Sequence, residues 1–121
     1  MLLESRYAVC KLPPDAALPS WARGAFVSLT RTPEELSVVC LENAVSKEVQ
    51  REEGWRLLKV AGPLLFSQIG ILAALTAPLA EAGVSIFVIS TFNTDYLLVK
   101  DARLTEAISA LEAAGHSLEG A

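Results

Sequence analysis

The 121-residue sequence holds one histidine and two cysteines, and this scarcity excludes several kinds of active site. A Ser-His-Asp or Cys-His site would depend on His116 alone, which follows the last predicted helix. One histidine with Cys10 and Cys40, 30 positions apart, does not form a zinc ligand set. No glycine-rich phosphate-binding loop occurs either. The sequence therefore predicts a protein that is not an enzyme and that carries no metal or other cofactor.

Basic charge is also sparse. Ten Lys and Arg stand against fourteen Asp and Glu, which gives a net charge of −4 and a pI near 4.9. No two basic residues are adjacent, whereas a nucleic-acid-binding protein needs a basic face. Nucleic acid is therefore not an expected partner. The acidic pairs Glu34-Glu35 and Glu52-Glu53 lie in charged, loop-like surroundings and are interpreted as solvated faces.

A long uncharged stretch runs from Lys59 to Glu81, and about 20 apolar residues would span a bilayer. Gly62-Pro63 breaks this stretch near its start, and Pro78 interrupts it near its end. The apolar residues after Ser67 instead recur at helical spacing. We therefore interpret the stretch as a helix that packs on a sheet or on a partner helix, and no membrane is expected.

The two cysteines lie in β-like runs flanked by Val and Leu, where a free cysteine behaves as a small apolar residue. A disulfide between Cys10 and Cys40 is possible, but nothing resembling a signal peptide precedes them. The sequence favours buried, reduced thiols in a cytoplasmic protein.

The second half of the chain predicts the order β-α-β-β-α-β. A helix is expected from Ser67, as its N-cap, to Gly83 at its C′ position. A second, amphipathic helix is expected to end before Gly115, with its apolar face formed by Leu104, Ile108 and Leu111. Asn93 and Asp95 supply turn chemistry between the second and third strands. Strands are expected at residues 55–60, 85–91, 96–100 and 116–118.

The first half predicts a shortened version of the same order. Strands are expected at residues 7–11, 25–29 and 36–41, and the prolines around residues 13–19 leave room for one or two helical turns at most. The charged residues 43–54 predict a weak helix or a solvated loop. No literal sequence repeat is present, so the duplication is inferred from element order, with a boundary at Gly54.

Three stretches resemble a known family. Residues 26–40 (FVSLTRTPEELSVVC), residues 54–64, with the motifs GWR and GPL, and residues 89–99 (ISTFNTDYLLV) resemble the small bacterial tandem-ACT proteins. Those proteins are similar to the cytosolic arginine sensors of the eukaryotic TOR kinase pathway. The resemblance implies an α+β fold of tandem ferredoxin-like (βαββαβ) ACT units. Residues 1–54 would be a degenerate ACT-like unit and residues 55–121 a complete ACT domain.

The resemblance also implies side-by-side pairing of ACT units, as in a homodimer, and binding of an amino acid at the interface between units. In the arginine sensors the ligand contacts come from the loop entering the first helix, from the start of the following strand, and from a turn that ends in an acid. The sensors carry an acidic residue shortly before the helical glycine, where this chain has Ser67 and Gln68, which argues against arginine as the ligand. The corresponding residues here are Gln68, Ile69, Gly70, Ile71, Ser85, Ile86, Thr91, Phe92, Asn93 and Asp95.

Physical chemistry independently supports several members of this set. A helix N-terminus favours an α-carboxylate, and Gly70 would let the ligand approach the backbone. Asp95 can accept hydrogen bonds from an α-ammonium, Ser85 can bridge to either group, and Phe92 could cover the pocket. Each residue also has a structural reading: close helix packing for Gly70, a turn acid for Asp95, a cap for Ser85, and core or interface for Phe92. The sequence predicts that the set clusters at one edge of one sheet.

Two functions therefore remain open. The first is an allosteric sensor: a homodimer binds a free amino acid between ACT units, and an unknown downstream protein reads the change. The second is a protein-interaction or oligomerisation module in which the ligand site is vestigial. The sequence names neither the amino acid nor the partner.

Overall fold

The computed structural model describes residues 1–60 and 70–118. Contacts between Cα atoms divide the chain into two compact units. Ser5–Trp55 form one, which we call the inserted unit because it interrupts the other in sequence. Met1–Glu4 and Arg56–Ala121 form the second, which we call the split unit. The domain division predicted at Gly54 stays a prediction.

The inserted unit is an antiparallel sheet with strand order β2-β3-β1-β4. Strands β1 and β3 confirm two predicted strands, whereas β2 begins three residues later than expected. Strand β4 begins in this unit and ends in the split unit. The bounds are β1 Tyr7–Leu12, β2 Ser28–Arg31, β3 Leu36–Leu41 and β4 Gln50–Lys59.

The charged segment 43–54, predicted as a weak helix or loop, is a loop at residues 45–49 but a strand from Gln50 onward, which corrects the prediction for its second part. It contains the end of a short 3₁₀ turn, Glu42–Ala44, and then the first half of β4. The start of β4 is a strand because it pairs with β1, Cys10 opposite Arg51 and Lys11 opposite Gln50. Pairing along a sheet decides the conformation here, and local propensity does not.

A bulge lies in β4 at Gly54. The register against β1 shifts between Tyr7 and Val9, and Gly54 has a φ of +82°, a conformation that favours glycine. The Gly54 N–H is donated to Glu42 Oε2 at 2.8 Å. A side chain from the 3₁₀ turn therefore accepts the backbone N–H at the bulge.

Both cysteines lie in the core of the inserted unit. They are free and buried, as predicted. Burial raises the pKa of both thiols, that of Cys10 to about 11. Alternate residues of β1 and β3 point into this core, in keeping with the two-residue period of a strand. Its buried members are Ala8, Cys10, Leu36, Val38, Cys40 and Val45.

The split unit carries helices on a sheet of order β4-β6-β5, in which β5 and β6 are antiparallel. The predicted order β-α-β-β-α is confirmed. The second helix buries Ala107 and Leu111, with Leu104 beside them, whereas Ile108 is half-buried outside this core. The bounds are α1 Ile71–Glu81, β5 Ile86–Ser90, β6 Asp95–Lys100, a 3₁₀ turn Asp101–Arg103, and α2 Leu104–Ala113.

Residues 116–118, predicted as a last strand, are not a strand. The N-terminal residues pair with β4 instead: Leu3 N–H bonds to Leu57 O at 2.9 Å, and Lys59 N–H bonds to Met1 O at 2.7 Å. Leu2 packs on the core of the split unit. Residues 1–3 thus fill the position beside β4, which explains why residues 116–118 do not take it.

Both helices end in a Schellman motif, in which a glycine with positive φ follows the helix. Gly83 has a φ of +73°, and the Val84 N–H bonds to Leu79 O at 2.9 Å. Gly115 has a φ of +95°, and the His116 N–H bonds to Leu111 O at 3.0 Å. The predicted role of Gly83 is confirmed. Within residues 1–60 and 70–118, no helix is long and apolar enough to cross a membrane.

The two hairpins are structural repeats. Arg31 faces Leu36 across the first hairpin and Ser90 faces Asp95 across the second, each residue of the second lying 59 positions after its counterpart. Each hairpin is followed by a 3₁₀ turn that begins with an acid. The duplication inferred from element order therefore has a residue-level counterpart at these hairpins.

Candidate functional site

The turn between β5 and β6 is fixed by its own threonines. The Thr91 N–H bonds to Thr94 O at 2.8 Å. The Thr91 hydroxyl donates to Thr94 O at 3.0 Å and accepts from the Thr94 N–H at 3.3 Å. These bonds replace the Asn93 and Asp95 turn chemistry expected from the sequence. The turn is therefore a rigid element that places the residues beside it.

Asp95 lies at the first position of β6, and its carboxylate is anchored across the hairpin. Ser90 Oγ donates to Asp95 Oδ1 at 2.5 Å. Asp95 itself is half-buried. An ionised carboxylate has about four lone-pair sites on its two oxygens. When one neighbour bonds to one oxygen, the second oxygen can still accept hydrogen bonds.

The end of β4 is tied to the same turn. The Val60 N–H bonds to Asp95 O at 3.0 Å, and the buried Thr94 donates its hydroxyl to Val60 O at 2.8 Å. Residue 60 leads toward α1, so the turn, the Asp95 carboxylate and the exit from β4 lie at one end of this sheet.

The N-terminus of α1 points to that same end. Residues 82–85 join α1 to β5, and Leu72, Leu75 and Leu79 pack α1 on the core of the split unit. A helix that packs on the sheet after so short a connection runs opposite to β5. Its first residues, Gly70 and Ile71, therefore lie toward the Ser90 end of the strand.

Gly70 occupies the N-cap of α1 with a φ of +81°. A Cβ at this position would meet no atom of residues 1–60 or 70–118 within 4 Å, so packing against those residues does not explain the glycine, whereas the positive φ does. Gly70 is exposed and Ile71 is half-buried. Ser67, the predicted N-cap, lies outside the described residues together with the predicted site residues Gln68 and Ile69.

Ser85 and Ile86 lie at the opposite end of β5. Ile86 faces Val99, whereas Ser90 faces Asp95. A five-residue strand separates its ends by about 15 Å, at about 3.3 Å per residue. The expected clustering of the whole set at one edge is therefore wrong for Ser85 and Ile86 within one chain. Their part in binding stays a prediction.

Thr91, Phe92 and Asn93 form the exposed tip of the turn, and Phe92 is 80% exposed. Phe92 is thus not a core residue of the split unit. Its predicted contact with a ligand and its alternative role at an interface are both compatible with this position.

Sequence reasoning missed Ser90 and Thr94. The prediction extended the strand to residue 91 and read Asp95 as part of the turn, so Ser90 was not paired with the acid. The available signal was the matching hairpin at residues 31–36, where Thr32 makes the same bonds to the end of its turn.

The repeat in the inserted unit lacks the carboxylate. Leu36, fully buried, stands where the split unit has Asp95. Arg31 stands where the split unit has Ser90, and its guanidinium donates to the carbonyls of Pro14 and Ala16. The chemistry of the hairpin site is therefore present in the split unit and replaced by structural contacts in the inserted unit.

Clusters suited to a metal are absent from the described part of the chain, where no three His, Cys, Asp or Glu side chains come together. The ion pairs among the described residues include one on the surface and one that is partly buried. Arg103 contacts Glu106 at 2.7 Å, and this bond lowers the pKa of Glu106. Arg56 contacts Asp101 at 3.1 Å. Neither pair involves the residues of the candidate site.

Comparison with protein families gives two matches along the chain. The family model described as the ACT domain matches residues 50–113, and a model for an N-terminal domain matches residues 5–48.

Solved structures extend the similarity to nearly the whole chain. A protein from Agrobacterium tumefaciens has a TM-score of 0.91 at 42% identity, covering 97% of this chain and 88% of that one. The regulatory subunit of aspartate kinase from Thermus thermophilus has a TM-score of 0.66 at 11% identity, covering 94% of this chain and 95% of that one. At this low identity the second match shows the fold alone.

Curated relatives are matched over a shorter part. The human cytosolic arginine sensor for mTORC1 subunit 1 is 41% identical over 61 residues, which are 50% of this chain and 18% of that protein. The human putative protein CASTOR3P is 36% identical over 97 residues, which are 69% of this chain and 60% of that protein. The chain thus spans less than a fifth of the arginine sensor's length.

Proposed function

Because this chain belongs to the ACT domain family, we propose that it is a regulatory protein that binds a free amino acid and acts without catalysis. The Asp95 carboxylate carries the proposal, since it is anchored by Ser90 beside a rigid turn and keeps one oxygen available. Similarity to a cytosolic arginine sensor supports both this role and a cytoplasmic location.

The ligand site is formed between the split units of two copies. Strand β5 ends the sheet of its unit, with β6 on one side and no described strand on the other. An unpaired edge is available for pairing with another chain. Antiparallel pairing of β5 with β5 of a second copy, about a two-fold axis, would bring the partner's Ser85 and Ile86 to the Ser90 end of the first. The homodimer therefore joins the two halves of the predicted set, which lie about 15 Å apart in one chain.

Each part of a zwitterion has a matching group in this arrangement. The α-ammonium bonds to the free oxygen of Asp95, a charge-assisted contact. The α-carboxylate faces the N-terminus of α1 at Gly70 and Ile71, where unpaired N–H groups carry partial positive charge. Ser67 and Gln68 supply no carboxylate for a guanidinium, which argues against arginine as the bound amino acid.

The proposal is tested by a thermal-unfolding screen of the purified protein against the twenty amino acids. A ligand at about 100 Kd that binds the folded state alone adds about 2.7 kcal/mol of stability. We expect one amino acid, or a small group, to raise the unfolding midpoint, and Asp95→Asn to abolish that rise. Glu112→Gln is the matched control, since it removes one negative charge from the exposed side of α2. A ligand shift that survives in Asp95→Asn would contradict the proposed site.

The second candidate, an interaction module with a vestigial site, is favoured by one observation. Phe92 is 80% exposed at the tip of a rigid turn, and an exposed aromatic residue is a common anchor for a protein partner. Under this function no amino acid shifts the midpoint, Asp95→Asn behaves as the parent, and Phe92→Ala weakens assembly.

A further inference from the structure

Helix α1 contains a carbonyl that its own backbone cannot satisfy. Pro78 lies inside the helix and has no amide hydrogen, so the carbonyl of Ala74, one turn earlier, lacks its helical donor. An interior proline disturbs a helix for this reason, among others. The helix nevertheless continues through Pro78 to Glu81.

The side chain of His116 stands where the missing donor would bond. His116 Nε2 lies 3.0 Å from Ala74 O. A carbonyl oxygen can only accept, so this nitrogen carries the hydrogen and donates it. His116 is the single histidine of the chain, and the proposed ligand site does not use it.

The backbone of His116 is fixed independently of this bond. It closes the Schellman motif of α2, where the His116 N–H bonds to Leu111 O at 3.0 Å and the Gly115 N–H bonds to Glu112 O at 3.0 Å. Leu111 is buried in the core that α1 also contributes to. His116 is therefore presented to α1 from a rigid position, which favours a directed contact over an incidental one.

The bond acts on the first turn of α1. Ala74 donates its own N–H to Gly70 O at 2.9 Å, and its carbonyl receives His116. One peptide unit on each side of Ala74 thus links His116 to Gly70, the N-cap residue that faces the proposed ligand.

We propose that His116 is a positioning residue: it supplies the hydrogen bond that Pro78 cannot make, and it holds the first turn of α1 in the geometry the ligand site needs. The part concerning the ligand rests on the proposed function. The part concerning the helix does not.

The helix part is tested by comparing the parent 121-residue chain with three variants: His116→Ala, Pro78→Ala and the double variant. An alanine at position 78 has an amide hydrogen, which can bond to the carbonyl of Ala74 within the helix. We expect His116→Ala to lower the unfolding midpoint by about 2 to 4 °C in the parent and by less than half of that in Pro78→Ala. His116→Gln, which keeps a donor at the side-chain end, should recover part of the loss. Equal losses in both backgrounds would overturn the proposal.

Positioning of the first turn is read from hydrogen exchange at the Ala74 amide, which reports the bond to Gly70 without any ligand. We expect exchange to be faster in His116→Ala and restored in the double variant, and unchanged exchange would overturn the proposal. Where the parent binds an amino acid, Kd should rise several-fold in His116→Ala and return toward the parent value in the double variant. If the parent binds none, the proposed function fails and the amide exchange still decides the role of His116.

Discussion

At the scale of single residues, side chains bonded to backbone groups hold several of the turns. Arg51 is the clearest case: its guanidinium donates to the carbonyls of Val45, Ser46, Lys47 and Val49. Such contacts join residues close in sequence, but they depend on a turn geometry that the sequence does not specify. Arg51 was predicted to lie in a charged, solvated segment, and its half-buried position shows how pairing with β1 overrides that composition.

Cys10 and Cys40 give a prediction on pH dependence. Burial, with a smaller effect from the neighbouring Cys40, raises the pKa of Cys10 to about 11. In the unfolded chain a thiol ionises near pH 8.5. Between about pH 9 and pH 11 the unfolded state therefore binds fewer protons than the folded state, and the free energy of unfolding falls as the pH rises. The contribution of the Cys10 thiol to the free energy of unfolding is fully present below about pH 8.

Urea denaturation at pH 7, 9 and 10.5 checks this sign. The Cys10→Ala variant is the control, because it lacks the thiol while keeping a small apolar side chain, and its stability should fall less over the same interval. An equal fall in parent and variant would assign the pH dependence to other groups, Tyr7 among them, whose pKa is also raised by burial.

At the scale of elements, the sequence specified strands and helices with strong periodicity and failed where pairing decides. The apolar runs that became β3, β5 and β6 were found because their hydrophobicity matches burial. The start of β4 and the fate of residues 116–118 depend on which strand edge is free, and that is a property of the sheet. The residue-level match of the two hairpins is not evident from the sequence, because the hairpins share threonine hydrogen bonds but few identical residues.

The hairpin repeat predicts matched effects of two substitutions. Thr32 and Thr91 each accept an N–H within their turn and donate to a carbonyl at its end. We expect Thr32→Val and Thr91→Val each to lower the free energy of unfolding by about 1 kcal/mol, the usual net worth of such bonds.

The outcome is measured by chemical denaturation of the two variants beside Thr30→Val, which removes a hydroxyl from an exposed position of β2 outside the turn. Thr30→Val should leave stability within about 0.5 kcal/mol of the parent. A loss confined to one of the two turn threonines would show that the hairpins differ in more than sequence.

At the scale of the whole molecule, β2 in the inserted unit and β5 in the split unit are edge strands, each with a described strand on one side only. β5 is apolar along its whole length up to Ser90, whereas β2 is short and mostly polar. An apolar edge favours pairing with another chain, and a polar edge disfavours it. This difference decides which edge we assign to the homodimer.

Two separate lysine substitutions, one on each edge strand, test whether the dimer forms through β5 or through β2. Ile89→Lys places a charge on the half-buried edge of β5, and Leu29→Lys places the same charge on β2, where Leu29 is 41% exposed. We expect sedimentation velocity to find a dimer for the parent and for Leu29→Lys and a monomer for Ile89→Lys. A dimer that persists in Ile89→Lys, or is lost in Leu29→Lys, would move the interface away from β5.

The pairing of Met1–Leu3 with β4 has a consequence for synthesis of the chain. The inserted unit has all of its sequence once Trp55 has emerged from the ribosome, so it can fold first. The core of the split unit needs both Leu2 and Leu111, so residues that precede the inserted unit in sequence must wait for residues that follow it. The unit that bears the candidate ligand site is thus made in two separate segments, and it completes its core only after the inserted unit has all of its sequence.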